Sequence, residues 1–431
     1  MKINYKITNT KTIFNYEVEN VEELEGMGET KILRLLEKKG EVYFDYSLKN
    51  PHNDIIAYMG IIIFYPFIKH NLTFLFPLSD RFVTNLKKLP NFKNLKVNYK
   101  PSNYKKYQGE KNLIPMGGGV DSTSVMALYK DAYLYHQIGK EKVNCEEICK
   151  KLKMKEKPYV IDTNIKKFVD KPSYTNYICV FIGSLLIAID NDVKYILLGT
   201  PLSASSSRFR KNKFVYKPSN GFSTKTLIKN LGITFISPLF GCSELISSKI
   251  LVDNGLHDII VFCDKDENDR QCNKCDKCFR KNLELYMHNV KYPDNYFNNY
   301  KDTQLKYFEE TNFKHILLCK DYNFYKKILP QIANEIKKYN YSTKWCERIY
   351  HKFYTESEEE IYREILSKLK KYAKIMNEGD VFDLENYDGN EYHKKIKEGF
   401  INVSKNSSTI DRLLKTVLII NIILIILLII T

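Results

Sequence analysis

The stretch Asn112-Leu113-Ile114-Pro115-Met116-Gly117-Gly118-Gly119-Val120-Asp121-Ser122-Thr123 decides how this chain is read. A short apolar run ends in three glycines, an aspartate and two hydroxyl residues, and a helix-compatible run, Ser124 to Tyr129, follows at once. That is the order of a strand, a tight anion-binding loop and a helix N-terminus. Glycines let backbone approach an anion closely because they carry no Cβ and accept positive φ. The first turn of a helix leaves N–H groups unpaired, and its dipole favours negative charge there. Asp121 and Ser122 stand where an N-cap is expected. Two common glycine loops are excluded: Val120 stands where GxxxxGK[ST] needs lysine, and the GxGxxG spacing is absent.

The run resembles the SGGxDS loop of the PP-loop ATP pyrophosphatase superfamily, with Gly117 in the usual serine position. The resemblance implies cleavage of ATP between its α and β phosphates and adenylation of a substrate. It implies Gly117, Gly118, Gly119, Asp121, Ser122 and Thr123 as ATP-binding residues, with Asp121 and Ser122 catalytic and Mg²⁺ accompanying the nucleotide. One hydroxyl donor to the pyrophosphate is lost at Gly117, while backbone donors remain.

Cysteine spacing supplies a second anchor. Of 10 cysteines, Cys263, Cys272, Cys275 and Cys278 lie close together, the last three as C-N-K-C-D-K-C. Two residues between cysteines let successive thiolates face one tetrahedral centre, and four sulfur ligands make a closed, structural site. The surrounding Asp264, Lys265, Asp266, Glu267, Asn268 and Asp269 predict a surface loop. The first residues contain no apolar signal segment, so a reducing, cytoplasmic setting is expected. There, zinc suits this spacing better than disulfides, with a redox pair or an iron–sulfur cluster as the alternatives.

A PP-loop followed by C-x8-C-x2-C-x2-C and Phe279-Arg280 resembles the 7-cyano-7-deazaguanine synthase family and larger PP-loop relatives. The apolar-Pro-Leu segment Ile236–Phe240 and the amphipathic stretch Ser243–Gly255 agree with it. The likeness covers about Asn112 to Leu285. Nucleotide chemistry and zinc are what it implies; the deazaguanine substrate is not carried over.

Alternating strand and helix patterns in the middle of the chain predict an α/β fold with a parallel sheet. Leu113–Met116, Tyr159–Asn164, Tyr195–Thr200 and Thr234–Ser237 read as strands, and Tyr177–Ile189 as an apolar helix. Ligands in such sheets sit beyond the strand carboxyl ends, which gathers Gly117–Ser122, Asp162, Gly199 and Thr200 around one crevice. Asp162 is read either as a ribose or adenine ligand or as a cap of the next turn. Beyond Thr200, a loop of small residues ends in Arg208, Arg210 and Lys211; Arg208 is the candidate to neutralise departing pyrophosphate.

The expected domains are an α+β unit at 1–108, the ATP-binding domain with its zinc loop at 109–285, a helical region at 286–411 and an apolar tail at 412–431. In the first unit, Lys2–Ile7, Thr12–Val18, Glu41–Tyr46, Leu72–Phe76 and Leu95–Tyr99 read as strands. Asp54–Lys69 reads as a buried helix, since Pro66, Lys69 and His70 cut it too short for a membrane span. The histidines His257, His288 and His315 and the distant Cys319 and Cys346 are read as structural. Thr416–Thr431 is nearly all Leu, Ile and Val after Lys405, Arg412 and Lys415, the pattern of a C-terminal membrane anchor with the bulk cytoplasmic; a packed helix is the alternative. The net charge of +16 leaves a nucleic-acid surface open, although scattered Lys is also a compositional habit.

Together these features point to an ATP pyrophosphatase-type ligase or transferase that adenylates a small-molecule acceptor. A tRNA- or nucleobase-modifying adenylating enzyme and a nucleotide sensor without turnover are the alternatives.

Overall fold

The structure is a computed structural model, and it describes residues 1–28, 31–138, 145–202, 209–210, 213–214, 224–261, 263, 271–293, 296–300, 322–328, 333, 343–355 and 360–387. Two five-stranded sheets organise it. The first is mixed and comes from the N-terminal segment: β1 (Lys2–Ile7), β2 (Thr12–Glu17), β5 (Lys39–Phe44), β6 (Asn71–Ser79) and β7 (Lys96–Ser102), in the order β5-β2-β1-β6-β7. A small hairpin, β3 (Glu25–Met27) with β4 (Ile32–Arg34), branches from it. Helix α1 (Asn53–Phe64) is buried from Asp54 onward, as the sequence predicts. The carboxylate of Asp54 is satisfied by Ser79, whose N–H and hydroxyl donate to it at 3.0 and 2.6 Å. Helix α2 (Asp80–Lys87) begins at Ser79, whose hydroxyl caps it by accepting from the Phe82 N–H.

The second sheet is wholly parallel. It contains β8 (Lys111–Pro115), β9 (Tyr133–Gln137), β10 (Pro158–Ile161), β11 (Val193–Leu197) and β14 (Thr234–Ile236), in the order β10-β9-β8-β11-β14. The chain runs outward from β8 through α3 (Val120–Leu128), β9 and α4 (Cys145–Leu152) to β10. It then returns through α5 (Ser184–Asp190) to lay β11 on the other side of β8. The strand order therefore reverses between β8 and β11, and the crevice beyond their carboxyl ends is where ligands of open parallel sheets bind. A two-strand ribbon, β12 (Phe209–Arg210) and β13 (Lys213–Phe214), precedes α6 (Thr224–Leu231), which leads into β14.

Alternate residues of this sheet face opposite sides, as strand geometry requires. Leu113 and Ile196 join the N-terminal sheet, α1, α5 and α6 in one buried core. Ile114, Tyr195 and Leu197 join α3, α7 (Glu244–Asp253), α8 (Asp276–Met287) and the C-terminal segments in the other. Burial on both faces explains why β8 and β11 read as apolar runs, not as alternating ones. Polar links tie the N-terminal unit to the segments around the parallel sheet: the Tyr46 hydroxyl, just past β5, donates to Asp190 at the end of α5 at 2.9 Å, and Thr175 donates to the Ile63 carbonyl of α1 at 2.8 Å.

Three expectations need correction. The strand after the glycine loop is β9, a segment not anticipated; Tyr159–Asn164 supplies only the edge strand β10, which ends at Ile161. Tyr177–Ile189 is divided into a 3₁₀ turn, Tyr177–Phe181, and α5. Helix α3 starts at Val120, so its N-cap is Gly119 and makes no side-chain cap bond; Asp121 and Ser122 lie inside the first turn. Among the described residues, no helix is long and apolar enough to cross a membrane. The apolar tail at 412–431, His315 and Cys319 lie outside the described residues.

Candidate functional site: a glycine-loop crevice beside a four-cysteine cluster

The glycine loop opens onto a cavity of about 580 Å³ at the switch point between β8 and β11. Gly117, Gly119, Val120, Asp121 and Ser122 line it, with Gly199 from the end of β11. Gly118 holds the tight part of the turn, at φ +71°, where an L side chain is disfavoured. Its carbonyl accepts the Val261 N–H at 3.1 Å. Ser122 Oγ accepts the Gly117 N–H at 3.3 Å and donates to the Gly119 carbonyl at 3.4 Å. Gly199 is required for a different reason. A Cβ there would lie 2.6 Å from the Asp121 carbonyl carbon and the Ser122 nitrogen. Strand β11 thus presses its backbone against the first turn of α3. Among the described residues, nothing lies within 4 Å of where a Gly117 Cβ would stand.

The opposite wall is cationic. Lys277, Arg280 and Lys281 of α8 line the cavity, and Lys281 Nζ lies 4.0 Å from Asp121 Oδ1. Lys281 is almost fully buried and also pairs with the buried Glu284 at 3.0 Å, which accepts from the Ser248 hydroxyl at 2.9 Å. Glu244, at the start of α7, is buried beside this group, with neither carboxylate oxygen hydrogen-bonded among the described residues. Burial pushes its carboxyl up to about 8, further raised by Glu284 and Asp121 and opposed by Lys281 and Arg280.

The third side is apolar and aromatic: Ile138, Tyr174, Tyr177, Val180, Phe181 and Leu198, with His136 and Gln137 at the carboxyl end of β9. Ile138, Tyr177 and Val180 are exposed despite their apolar bulk. His136 Nδ1 lies 3.0 Å from the Met116 carbonyl. A carbonyl only accepts, so Nδ1 carries the hydrogen in that bond and Nε2 of the neutral ring is an acceptor. Gln137 donates to the Tyr174 hydroxyl at 2.8 Å, and Lys166 lies over the Tyr174 ring.

Of the residues expected in the crevice, Gly117, Gly119, Asp121, Ser122 and Gly199 line it. Thr123 is buried in α3, its hydroxyl without a partner among the described residues. Thr200 stands just behind the wall; its N–H donates to Ser237 Oγ at 3.2 Å, and its hydroxyl lies 3.3 Å from that of Tyr177. Asp162 is not among the lining residues. Strand β10 lies at the sheet edge, and Asp162 there accepts from the Tyr43 hydroxyl at 3.0 Å, while its carbonyl accepts the Asp45 N–H. It joins the two sheets. Arg208 lies outside the described residues. His288 is structural, its Nε2 donating to the Leu245 carbonyl at 2.7 Å, and Cys346 is a buried thiol.

The four cysteines converge. Their Sγ atoms all lie within 4.8 Å of one another, with Cys263–Cys275 and Cys272–Cys278 separations of 3.8 Å. A tetrahedral zinc with Zn–S bonds of about 2.3 Å requires sulfurs about 3.8 Å apart. The donor set therefore fits a metal such as zinc. Burial pushes the Cys275 and Cys278 thiols up, whereas at Cys272 burial is outweighed by hydrogen bonds from the Lys274 and Cys275 backbone and the neighbouring thiols, which draw it down to about 7. The expected surface loop, Asp264 to Asp269, lies outside the described residues; of the four cysteines, Cys263, Cys275 and Cys278 are buried and Cys272 is half-buried. Cys275 is the N-cap of α8, and its sulfur accepts the Cys278 N–H at 3.4 Å.

The residues that sequence reading missed, His136, Gln137, Lys277, Arg280 and Lys281, carried modest signals. Tyr133–Gln137 follows the loop at the interval of a strand–helix–strand unit. The three cations sit within three residues of Cys278.

Residues 223–388 match the model of DUF6395, a family of unknown function. The match spans all four cysteines, α7 and α8 but not the glycine loop, and covers well under half of the chain. No curated protein matches the chain.

Proposed function

We propose that this chain is an ATP-dependent enzyme of the PP-loop type that forms AMP and pyrophosphate while adenylating a small-molecule acceptor. The observation that carries this reading is the loop Gly117–Ser122 at the switch point, facing Lys277, Arg280 and Lys281 across one cavity. Backbone N–H groups of the loop and the first turn of α3 offer donors to phosphate oxygens. The lysines and the guanidinium offset charge that accumulates as pyrophosphate departs. The apolar lobe of Ile138, Tyr177 and Val180 suits a planar base, which would direct the triphosphate towards the loop.

In this reading an oxygen of the acceptor bonds to the α-phosphorus. The bond from that phosphorus to the bridging oxygen breaks, and pyrophosphate leaves with the electron pair. A second nucleophile, such as ammonia or an amine, then displaces AMP. Mg²⁺ would enter with the nucleotide, with Asp121 as the carboxylate able to meet it; it neutralises phosphate charge. The protein's part is positioning and electrostatic stabilisation. The four-cysteine centre, with all positions filled by sulfur, is structural.

A second reading, nucleotide binding without turnover, is favoured by Gly117 in place of the serine of the loop that this one resembles. Incubation with ATP, Mg²⁺ and a metabolite pool, scored for AMP and pyrophosphate, separates the two. Nucleobase modification would add salt-sensitive RNA binding. A membrane anchor at Thr416–Thr431 rests on the composition of that segment alone.

A further inference from the structure

Two short pieces of chain join the cysteine cluster to the crevice. On one side, Val261 donates its N–H to the Gly118 carbonyl, and Cys263 follows two residues later. On the other, Cys275 caps α8 through its own sulfur, and Cys278 lies in the first turn. Lys277, Arg280 and Lys281 occupy that turn and the next, facing the cavity. The chain between the first two ligands, Asp264 to Gln271, is wholly polar in sequence. Both walls of the anion-binding pole therefore end on the same four sulfurs.

We propose that the Cys263/Cys272/Cys275/Cys278 metal centre positions the anion-binding pole: with metal bound, it fixes α8 and its cations against the Gly118 turn, and nucleotide affinity depends on its occupancy. This inference rests on the ATP reading above. Metal binding releases the thiol protons and orders the segments that supply the ligands. Here those segments are the start of α8 and the strand of chain that pins the glycine loop. Lys281 is the most sensitive cation, since it is buried between Glu284 and Asp121 and has little freedom to compensate for a shifted helix.

The test uses the full-length chain carrying one zinc. ATP and inorganic pyrophosphate are titrated by calorimetry before and after zinc removal by chelator, and amide exchange is followed in 117–123 and 276–287. Loss of one charge-assisted contact corresponds to roughly 10- to 150-fold in dissociation constant. Chelation is expected to weaken both ligands at least tenfold and to lower protection in both segments together. Unchanged affinity in a chelated chain that remains folded overturns the proposal. If the zinc-loaded chain binds neither ligand, the ATP reading fails by itself; the proposal then stands or falls on whether zinc removal exposes 117–123 to exchange. Should chelation unfold the chain, Cys272→His decides, because it keeps four ligands while moving the outermost. Affinity several-fold weaker at full zinc content supports the positioning role, and wild-type affinity refutes it.

Discussion

Substituting the glycines of the crevice by alanine, one at a time, separates three physical reasons for glycine. At Gly117 the added Cβ meets nothing within 4 Å among the described residues, and φ is not in the left-handed region. Gly117→Ala should change stability by less than about 0.5 kcal/mol, and Gly117→Ser should restore a hydroxyl at the loop without strain. At Gly118 the φ of +71° imposes the left-handed penalty, roughly 1–2 kcal/mol. At Gly199 the conflict is with backbone: the Cβ would lie 2.6 Å from atoms of Asp121 and Ser122, against an ordinary carbon contact of about 3.5 Å. Nearly 1 Å of separation must open between β11 and the first turn of α3. Overpacking of that kind costs roughly 1–3 kcal/mol, and a 1 Å misplacement of reacting groups costs on the order of 100-fold in rate. Urea denaturation measures the first quantity, and ATP affinity with pyrophosphate release measures the second. The order expected is Gly117 least affected, then Gly118, then Gly199, with Gly199→Ala losing ligand binding while the chain remains folded. A Gly117→Ala variant as damaged as Gly199→Ala would refute the loop geometry.

Glu244→Gln should flatten the pH dependence of stability. The folded-state carboxyl is pushed up to about 8 by burial, above the unfolded value near 4.5, so the folded chain retains a proton that the unfolded chain releases. Stability from this group is therefore full below about pH 4.5, falls as pH rises to about 8 and is level beyond, by at most a few kcal/mol. Denaturation of both proteins at pH 5.5 and 8.5 checks this, and an equal slope in the variant contradicts it. Elemental analysis of protein purified without chelator should find one zinc per chain; four free thiols without zinc or iron would rule the centre out. Deleting Thr416–Thr431 should release a membrane-associated chain into the soluble fraction with its ATP chemistry unchanged; full-length protein that is monodisperse without detergent refutes the anchor.

Much of the parallel sheet was legible because strands buried on both faces read as apolar runs, as Leu113–Ile114 and Ile196–Leu197 do. The loop was legible because three consecutive glycines at a strand end have few other uses. Strand β9 was not, since Tyr133, Tyr135, His136 and Gln137 dilute its apolar signal. Asp162 shows the limit of placing residues by strand ends: carboxyl-end position is shared by every strand, but only β8, β11 and the adjacent β9 supply lining residues, while β10 lies one strand further out at the edge. The cations of α8 were hidden for a related reason. They are adjacent to the cysteines in sequence, and only the packing of α8 on α7, itself packed on α3, brings Lys281 to Asp121. The cysteine spacing pointed to a common centre, and the sulfur separations agree with it.

The most direct test of the central claim is calorimetric titration of full-length protein with ATP and Mg²⁺, alongside Asp121→Ala, followed by assay of both proteins for AMP and pyrophosphate. Saturable binding of one ATP per chain is predicted, with pyrophosphate released by the wild type once its acceptor is present and abolished in the folded variant. No binding by the zinc-loaded wild type, or pyrophosphate release by Asp121→Ala at the wild-type rate, would contradict the assignment of this crevice as an ATP site.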